Sequence, residues 1–411
     1  MDRIILHSDI NACYAGIELL FAPQLRGKPV AVGGDEALRH GIVLSKTEEA
    51  KRIGVRTGMT LWQARQLCPE LVVVPPHFDR YLYFTGEVQK IYSEYTDRRE
   101  PFGIDESWLD LTGCVPAAGG KAAAKEIGAR VKHELGLTVS VGVSWNKVFA
   151  KLGSDYKKPD AVTVIGRHDY KDKVWPLPAG ALLFVGRSTA RRLGELGIHT
   201  IGDLARTQAD VLRLRLGKAG DMLQAFANGW DTSPVRRAGE RPPVKSIGNS
   251  TTTPRDMISL SDAMPALVSL AESVGARLRQ AGLMARTVTL DMRSAQLTWC
   301  SHRMRLECPT DCSRALLESA LALLAEAHAW PGALRGIGIR AEELVSVNMP
   351  DQIDIFNDYV NRIKQKNLDS AIDRIRGKYG GAAVQRGAVF ADPAMAVTPA
   401  QEEFAFVKTA Q

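Results

Sequence analysis

Hydrophobic positions along the first 160 residues switch between two periods. RIILHSD (Arg3–Asp9) is a short apolar run that stops at an acid, and INACYAGIELL after it spaces its apolar residues along one helical face. A strand feeding a helix is predicted, with Asp9 at the junction and Asn11 as the helix cap. KPVAVGG and HGIVLSK are two short strand candidates among small helices between Phe21 and His77. PFGIDESWLDLTG alternates between Gly103 and Gly113, which predicts a strand pair or hairpin. AAAKEIGARVKHELG has the spacing of an amphipathic helix, and LTVSVGVSW is β-branched and alternating. NKVFAKLGSDY is helical until Pro159 stops it. Strand, helix, strand pair, helix, strand, helix is the order of an α+β layer domain.

From Asp169 to Pro234 the pattern is helical and punctuated by glycine, as in FVGRSTARRLGELGIHTIGDLA. After the Pro- and Arg-rich SPVRRAGERPPV come a strand (KSIGNSTTT) and a long helix (LSDAMPALVSLAESVGARLRQAG). Two strands (RTVTLDMR, HRMRLEC), a helix (SRALLESALALLAEAHAW) and a last strand (LRGIGIRAEEL) follow. That βαββαβ order predicts a second small α+β domain. Beyond Ser346 one helix is expected, in NLDSAIDRIRGKYG. No internal repeat or low-complexity tract is present.

The 411 residues, 45% hydrophobic and 24% charged, match an ordinary multidomain globular chain and exclude wholesale disorder. No run reaches the roughly 18 apolar residues of a membrane span, and the N-terminus turns polar too early for a signal peptide. Six scattered cysteines do not form a disulfide framework. A soluble, cytoplasmic monomer with no membrane contact is expected. Cys300, His302, Cys308 and Cys312 lack a CxxC knuckle and suit structural zinc poorly. The net charge is +7, and five of those seven positive charges arise between Asp169 and Val345. This distribution is a weak hint of a polyanionic partner, and on charge alone an ordinary solvated surface fits equally well.

Three acids suggest chemistry: Asp9 at the end of the first strand, and adjacent Asp105 and Glu106 in the later hairpin. Two-metal phosphoryl transfer needs carboxylates from neighbouring strands to hold cations about 4 Å apart. An isolated acid after a strand is more commonly a turn or cap residue, so the surrounding words matter more than the spacing.

Those words are HSDINACYAGIE, GIDESWLDLTG and SVGVSWNKVFAKLGSDYKKPD, in this order. They resemble the palm motifs of the Y-family translesion DNA polymerases, of the bacterial polymerase IV type. SKTEEAKRIGVRTGM is similar to that family's fingers motif, LLFVGRSTARRLGELGIHTIGDLA to its helix-hairpin-helix thumb, and VKSIGNSTTTPRD to the start of its little-finger domain. The resemblance spans residues 1–345. It implies an α+β right-hand architecture: palm at 1–18 and 78–168, fingers at 19–77, and thumb at 169–234. A linker at 235–244, a βαββαβ little finger at 245–345 and a tail at 346–411 complete it.

The resemblance assigns metal binding to Asp9, Asp105, Glu106 and the Ile10 backbone carbonyl, with two Mg²⁺ ions as cofactors. It makes Tyr14 the steric gate against a 2′-hydroxyl, where residues alone would favour a core aromatic. It directs Lys158 to the triphosphate, where residues alone would favour a solvated lysine. The fingers depart from the family pattern, with Glu48 and Lys51 at positions where tyrosine and arginine often face the triphosphate. Lys51 keeps the charge without arginine's fork. Ionised Glu48 cannot donate to a phosphate, so it is left out of the site, and Thr47 is the substitute hydroxyl donor.

For DNA, Gly186 offers a tight turn and open backbone N–H groups at a helix start, with Arg187, Arg191 and Arg192 adding attraction. Lys245, Arg286, Arg293, Arg303 and Arg305 sit on strand candidates where alternation can aim several at one phosphate backbone. In the tail, DQIDIF resembles the peptide by which bacterial polymerases dock on a sliding clamp, with Gln352, Ile355 and Phe356 as anchors. The expected activity is template-directed, low-fidelity addition of deoxynucleoside triphosphates to a primer–template 3′-end. No segment after 345 suits a proofreading nuclease. The competing readings are a polymerase-like DNA-binding accessory protein without synthesis, which would have lost the metal acids, and a nucleotidyl cyclase, which has no use for a hairpin thumb.

Overall fold

The computed structural model describes residues 2–39, 41–240, 242–327, 332–349 and 359–397. The chain divides into two compact units, one of residues 1–34 and 42–241, the other mainly of 242–410 with the short stretch 35–41.

In the first unit the elements run β1 (Ile5–Ile10), α1 (Cys13–Phe21), β2 (Val30–Gly33), β3 (Val43–Lys46), α2 (Glu48–Ile53), α3 (Leu61–Leu67), β4 (Val72–Val74) and α4 (Phe78–Ser93). They continue with β5 (Arg99–Pro101), β6 (Glu106–Asp110), α5 (Gly120–Leu135), β7 (Val139–Ser144), α6 (Lys147–Tyr156) and β8 (Val162–Val164). Five helices follow: α7 (Tyr170–Val174), α8 (Arg187–Gly194), α9 (Ile201–Arg206), α10 (Ala209–Leu216) and α11 (Lys218–Ala227). The main sheet has the order β5-β6-β1-β7-β8. Strand β1 lies at its centre, antiparallel to both neighbours and buried along its whole length.

Alternation along β1 decides what each face carries. Leu6 and Ile10 join the core formed with α4 and α5, where Ile91, Tyr92, Ala124 and Ile127 are buried. The other face takes Ile5, which packs with Ala150 of α6, and then His7 and Asp9. Helix α6 presses on this face because two glycines permit it. A Cβ on Gly142 of β7 would lie 1.9 Å from the Ala150 carbonyl oxygen, and one on Gly153 would lie 2.9 Å from Gly142 Cα. That close approach brings the polar end of α6 to the acid end of β1. A smaller sheet, β3-β2-β4, packs against α2 and α3, with Val43, Leu61 and Leu71 among its core residues.

The Asn11 cap expected from the sequence is not formed. Ala12 takes the cap position in a left-handed conformation (φ 46°), with no side-chain cap. The Asn11 amide is used elsewhere: Nδ2 donates to Thr138 Oγ1 at 3.1 Å, and Oδ1 accepts from Ser140 at 2.8 Å. The turn after β1 is therefore tied to β7 and not to α1.

The second unit contains β9 (Ser246–Met257), α12 (Leu260–Ala281), β10 (Leu283–Ser294), β11 (Trp299–Thr310), α13 (Ser313–Ala327), β12 (Leu334–Glu342), β13 (Val345–Ser346) and α14 (Tyr359–Tyr379). The βαββαβ expectation holds, with sheet order β11-β10-β12-β9. Val288, Leu290, Met292, Ile337 and Ile339 point to α12 and α13 and form the core with Leu267, Leu270, Leu316 and Leu323. Each fully buried aliphatic side chain of this kind contributes about 1.5–3 kcal/mol.

Candidate active site

The hairpin β5–β6 places the adjacent acids Asp105 and Glu106 beside Asp9. In the antiparallel register Asp9 stands opposite Glu106, His7 opposite Trp108 and Ile5 opposite Asp110. Directly opposed residues share a face, so Glu106 joins Asp9 under α6. Asp105 lies in the turn after Gly103 (φ 86°), and its carbonyl accepts the Ile10 N–H at 3.0 Å. All three acids of the sequence reading, and the Ile10 backbone, thus meet at one end of the sheet.

Two lysines of the α6 region face these acids. Lys158 Nζ lies 2.6 Å from Asp9 Oδ2 and 2.8 Å from Asp155 Oδ1. Lys151 Nζ lies 2.6 Å from Glu106 Oε2 and 3.9 Å from Asp155 Oδ2. Below them His7 is fully buried, its Nδ1 2.8 Å from Ser154 Oγ and its ring edge-on to Trp108.

The surroundings pull the acids in opposite directions. Burial, reinforced by Glu106 and Asp105, raises Asp9 to about 7 although Lys158 partly offsets it. Burial and the Glu106 charge also raise Asp105. For Glu106 burial acts upward too, but His7 and the Lys151 ammonium outweigh it and bring the carboxyl down to about 2. Among the described residues no three ligand-type side chains close on a common point; Asp9 and Glu106 are turned to the lysines. A cluster of hard oxygen donors whose charge is met by ammonium groups fits divalent cations, which take the same donors.

Tyr14 lies on α1, half-buried. Its ring stacks on Tyr81 with centroids 4.3 Å apart and 6° between planes, and meets Phe78 edge-on at 5.8 Å. Tyr81 is fixed in turn by a 2.6 Å hydrogen bond to buried Glu18, which also binds Arg80 and His77. Burial pushes the Tyr14 hydroxyl well above its ordinary value, so the ring is neutral.

The fingers residues fare differently. Thr47 was expected to give its hydroxyl proton to a phosphate. It is buried, caps α2, accepts from the Val30 N–H at 3.1 Å and donates to the Lys28 carbonyl at 3.2 Å. Its one proton is committed within the fold, so it leaves the site. Lys51 is exposed on α2 and pairs with Glu48 at 3.1 Å. The glutamate set aside on sequence grounds is thus the partner of the lysine retained.

On α8 Gly186 is the N-cap, with no side-chain cap on the helix's first amides. Its φ is −76°, in the extended region open to any residue, and the left-handed residue just before it is Phe184 (φ 69°). Arg187, Arg191 and Arg192 are exposed.

In the second unit the outward sheet face carries Arg293, Arg303 and Arg305. Register sets Thr287 opposite Arg305, Thr289 opposite Arg303 and Arg293 opposite Trp299. Arg340, missed in the sequence although it alternates with buried Ile337 and Ile339, stands opposite Thr289 on the same face. It is bound to Asp291 and Glu342 at 3.1 and 3.3 Å. Lys245 is exposed immediately before β9. Arg286 sits at the register break between Ala285 and Thr287 and donates to Met349 Sδ at 3.3 Å. Gln352, Ile355 and Phe356 lie outside the described residues. Among the described residues no helix is long and apolar enough to cross a membrane.

Sequence reasoning also missed Lys151, Asp155 and His7. A signal existed for each. His7 shares Asp9's face two residues away, and Lys151 and Asp155 precede Lys158 at helical spacing.

Comparison with known proteins places this geometry. The impB/mucB/samB family matches residues 8–155, and the same family's C-terminal domain matches residues 244–355. The chain is 45% identical to DNA polymerase IV of Acetivibrio thermocellus, over 95% of this chain and 98% of that protein. It is 37% identical to DNA polymerase IV of Pelotomaculum thermopropionicum, over 96% of each. It is also 37% identical to DNA polymerase IV 1 of Bacillus subtilis, over 94% and 93%. Its fold is similar to that of a solved Y-family DNA polymerase chimera, with a TM-score of 0.74 and 24% identity over 84% of this chain and 99% of the other. The class is therefore that of DNA-directed DNA polymerases. Within it the chain belongs to the Y family of translesion polymerases, in its DNA polymerase IV branch. Enzymes of this branch bind DNA and nucleotides and depend on divalent metal.

Proposed function

We propose that this polymerase extends a primer by two-metal phosphoryl transfer, with low fidelity and without proofreading. The observation that carries the reading is the convergence of Asp9, Asp105 and Glu106 on one sheet end beneath Lys151 and Lys158. Two Mg²⁺ ions held by these carboxylates and the Ile10 carbonyl would activate the primer 3′-hydroxyl and neutralise the triphosphate and departing pyrophosphate. Lys158 supplies a point charge to the triphosphate. Tyr14, held flat against Tyr81, occupies the space under the sugar and excludes a 2′-hydroxyl. Lys51 stands in the fingers with its charge already matched by Glu48, and contributes less than an arginine fork.

Residues 1–18 and 78–168 act as palm, 19–77 as fingers, 169–234 as thumb and 245–345 as little finger. The open amides after Gly186, with Arg187 and Arg191, grip phosphates from the thumb. Arg293, Arg303 and Arg305, together with Lys245 and Arg286, do so from the little finger, without reading sequence. Gln352, Ile355 and Phe356 tether the enzyme to a sliding clamp, which raises its effective concentration at the primer end.

The test is primer extension by purified protein on a primed template. Extension that requires Mg²⁺ and all templated nucleotides, with no shortening of the primer when nucleotides are omitted, is expected. DNA binding without extension would support an accessory role instead. For the tail, Ile355→Ala with Phe356→Ala should leave unaided extension intact and abolish stimulation by the clamp. Equal stimulation of variant and parent would remove the clamp from the account.

A further inference from the structure

Five ionisable groups around the site form an unbroken chain that alternates acid and base. It runs Asp9, Lys158, Asp155, Lys151, Glu106, with successive separations of 2.6, 2.8, 3.9 and 2.6 Å. Its two ends are proposed metal ligands. Its middle, Asp155, is half-exposed on α6 and pairs with both lysines. A lysine cannot pair fully with a carboxylate whose oxygens are taken by a dication. When the ends of the chain are occupied, both ammonium groups must therefore find another acceptor, and Asp155 is the carboxylate already in reach of both.

We propose that Lys158 is an exchangeable counter-ion that competes with divalent cation for Asp9, and that Asp155 is the positioning residue that receives it. This inference rests on the metal-site reading above. In the cation-free state Lys158 shares its ammonium between Asp9 and Asp155 and offsets part of the cost of a buried carboxylate charge. On cation binding it shifts onto Asp155, still beside the site and directed to where a triphosphate would arrive. Lys151 does the same for Glu106 with a longer reach. The consequence is opposite in sign for two neighbouring residues. Removing the lysine removes a competitor, and removing Asp155 leaves the lysine bound more firmly to Asp9.

The experiment is Mn²⁺ binding to the full chain without DNA or nucleotide, read from the electron paramagnetic resonance signal of the free ion. Lys158→Met should bind Mn²⁺ several-fold more tightly than the parent, and Asp155→Asn several-fold more weakly. In the Lys158→Met background the Asp155→Asn effect should shrink, because its route through Lys158 is gone. Unchanged or weaker binding by Lys158→Met would overturn the proposal. An Asp155→Asn effect that persists in full in the double variant would mean that its charge acts directly on the ion, and would overturn the positioning role. Asp105→Ala separates the two levels of the argument. If it lowers Mn²⁺ binding while Lys158→Met does not raise it, the exchange fails and the metal site stands; if it changes nothing, the metal-site reading itself fails.

Discussion

The end of the first sheet and the outward face of the second treat charge in opposite ways. At the end of the first sheet, acids and lysines are partly or wholly buried and paired at 2.6 Å, and the carboxyls of Asp9 and Glu106 are shifted from their ordinary values in opposite directions. On the outward face of the second sheet, Arg303 and Arg305 are exposed, opposite Thr289 and Thr287. Burial strengthens electrostatics and fixes geometry, which bond-making requires. Exposure leaves guanidinium groups mobile and screened, which suits a grip that must slide. The contrast matches the proposed chemistry at the end of the first sheet and the proposed grip on the outward face of the second.

The sharpest way to break that contrast is to remove an acid. Asp9→Ala and Glu106→Ala should each reduce single-turnover extension by three or more orders of magnitude, on the order of 4 kcal/mol or more of transition-state stabilisation. DNA affinity should stay within a few-fold. Next in size, Tyr14→Ala should raise ribonucleotide over deoxynucleotide incorporation by orders of magnitude, measured as the ratio of kcat/KM values. An unchanged ratio would return Tyr14 to the aromatic core it shares with Phe78 and Tyr81.

Smaller effects sharpen the second half of the comparison. Arg303→Ala with Arg305→Ala should weaken DNA binding about equally on all sequences and reduce the salt slope by roughly 1 per lost phosphate contact. The rate at saturating DNA should not change. Smallest is a stability difference between two acids of the same site. Asp9 is raised from 3.8 to about 7, so folding favours its protonated form and the fold loses stability as pH rises through that interval. Asp9→Asn should therefore raise Tm at pH 8 in the absence of divalent metal. Glu106 is lowered from 4.5 to about 2; its stabilisation is present above 4.5 and is lost as pH falls toward 2. Glu106→Gln should lower Tm at pH 8. Both changes amount to a few degrees, and equal signs would show that burial and pairing have been assigned to the wrong carboxylates.

Much of this was legible before any coordinates. A short apolar run marked β1, β-branched alternation marked β7, and the order of strand and helix candidates marked the second sheet. The acids stood at the strand end and hairpin turn where pairing later joined them. What escaped is of one kind: the use to which a polar side chain is put once neighbours arrive. Asn11 had the right chemistry for a cap, but Thr138 and Ser140 offered better partners. Thr47 had a free hydroxyl on paper, and the Lys28 carbonyl took it. Asp155 and Lys151 were passed over, because only the close approach at Gly142 and Gly153 lets their helix face reach the acids.

One measurement bears on the central division directly: rapid-quench single-turnover extension on a primer–template, with rate and DNA affinity determined separately for Asp105→Ala and for Arg303→Ala with Arg305→Ala. The account predicts a crossed result, in which the acid variant loses the rate and keeps the DNA while the arginine variant loses the DNA and keeps the rate. An acid variant with near-normal rate, or two variants that lose rate and affinity together, would contradict it.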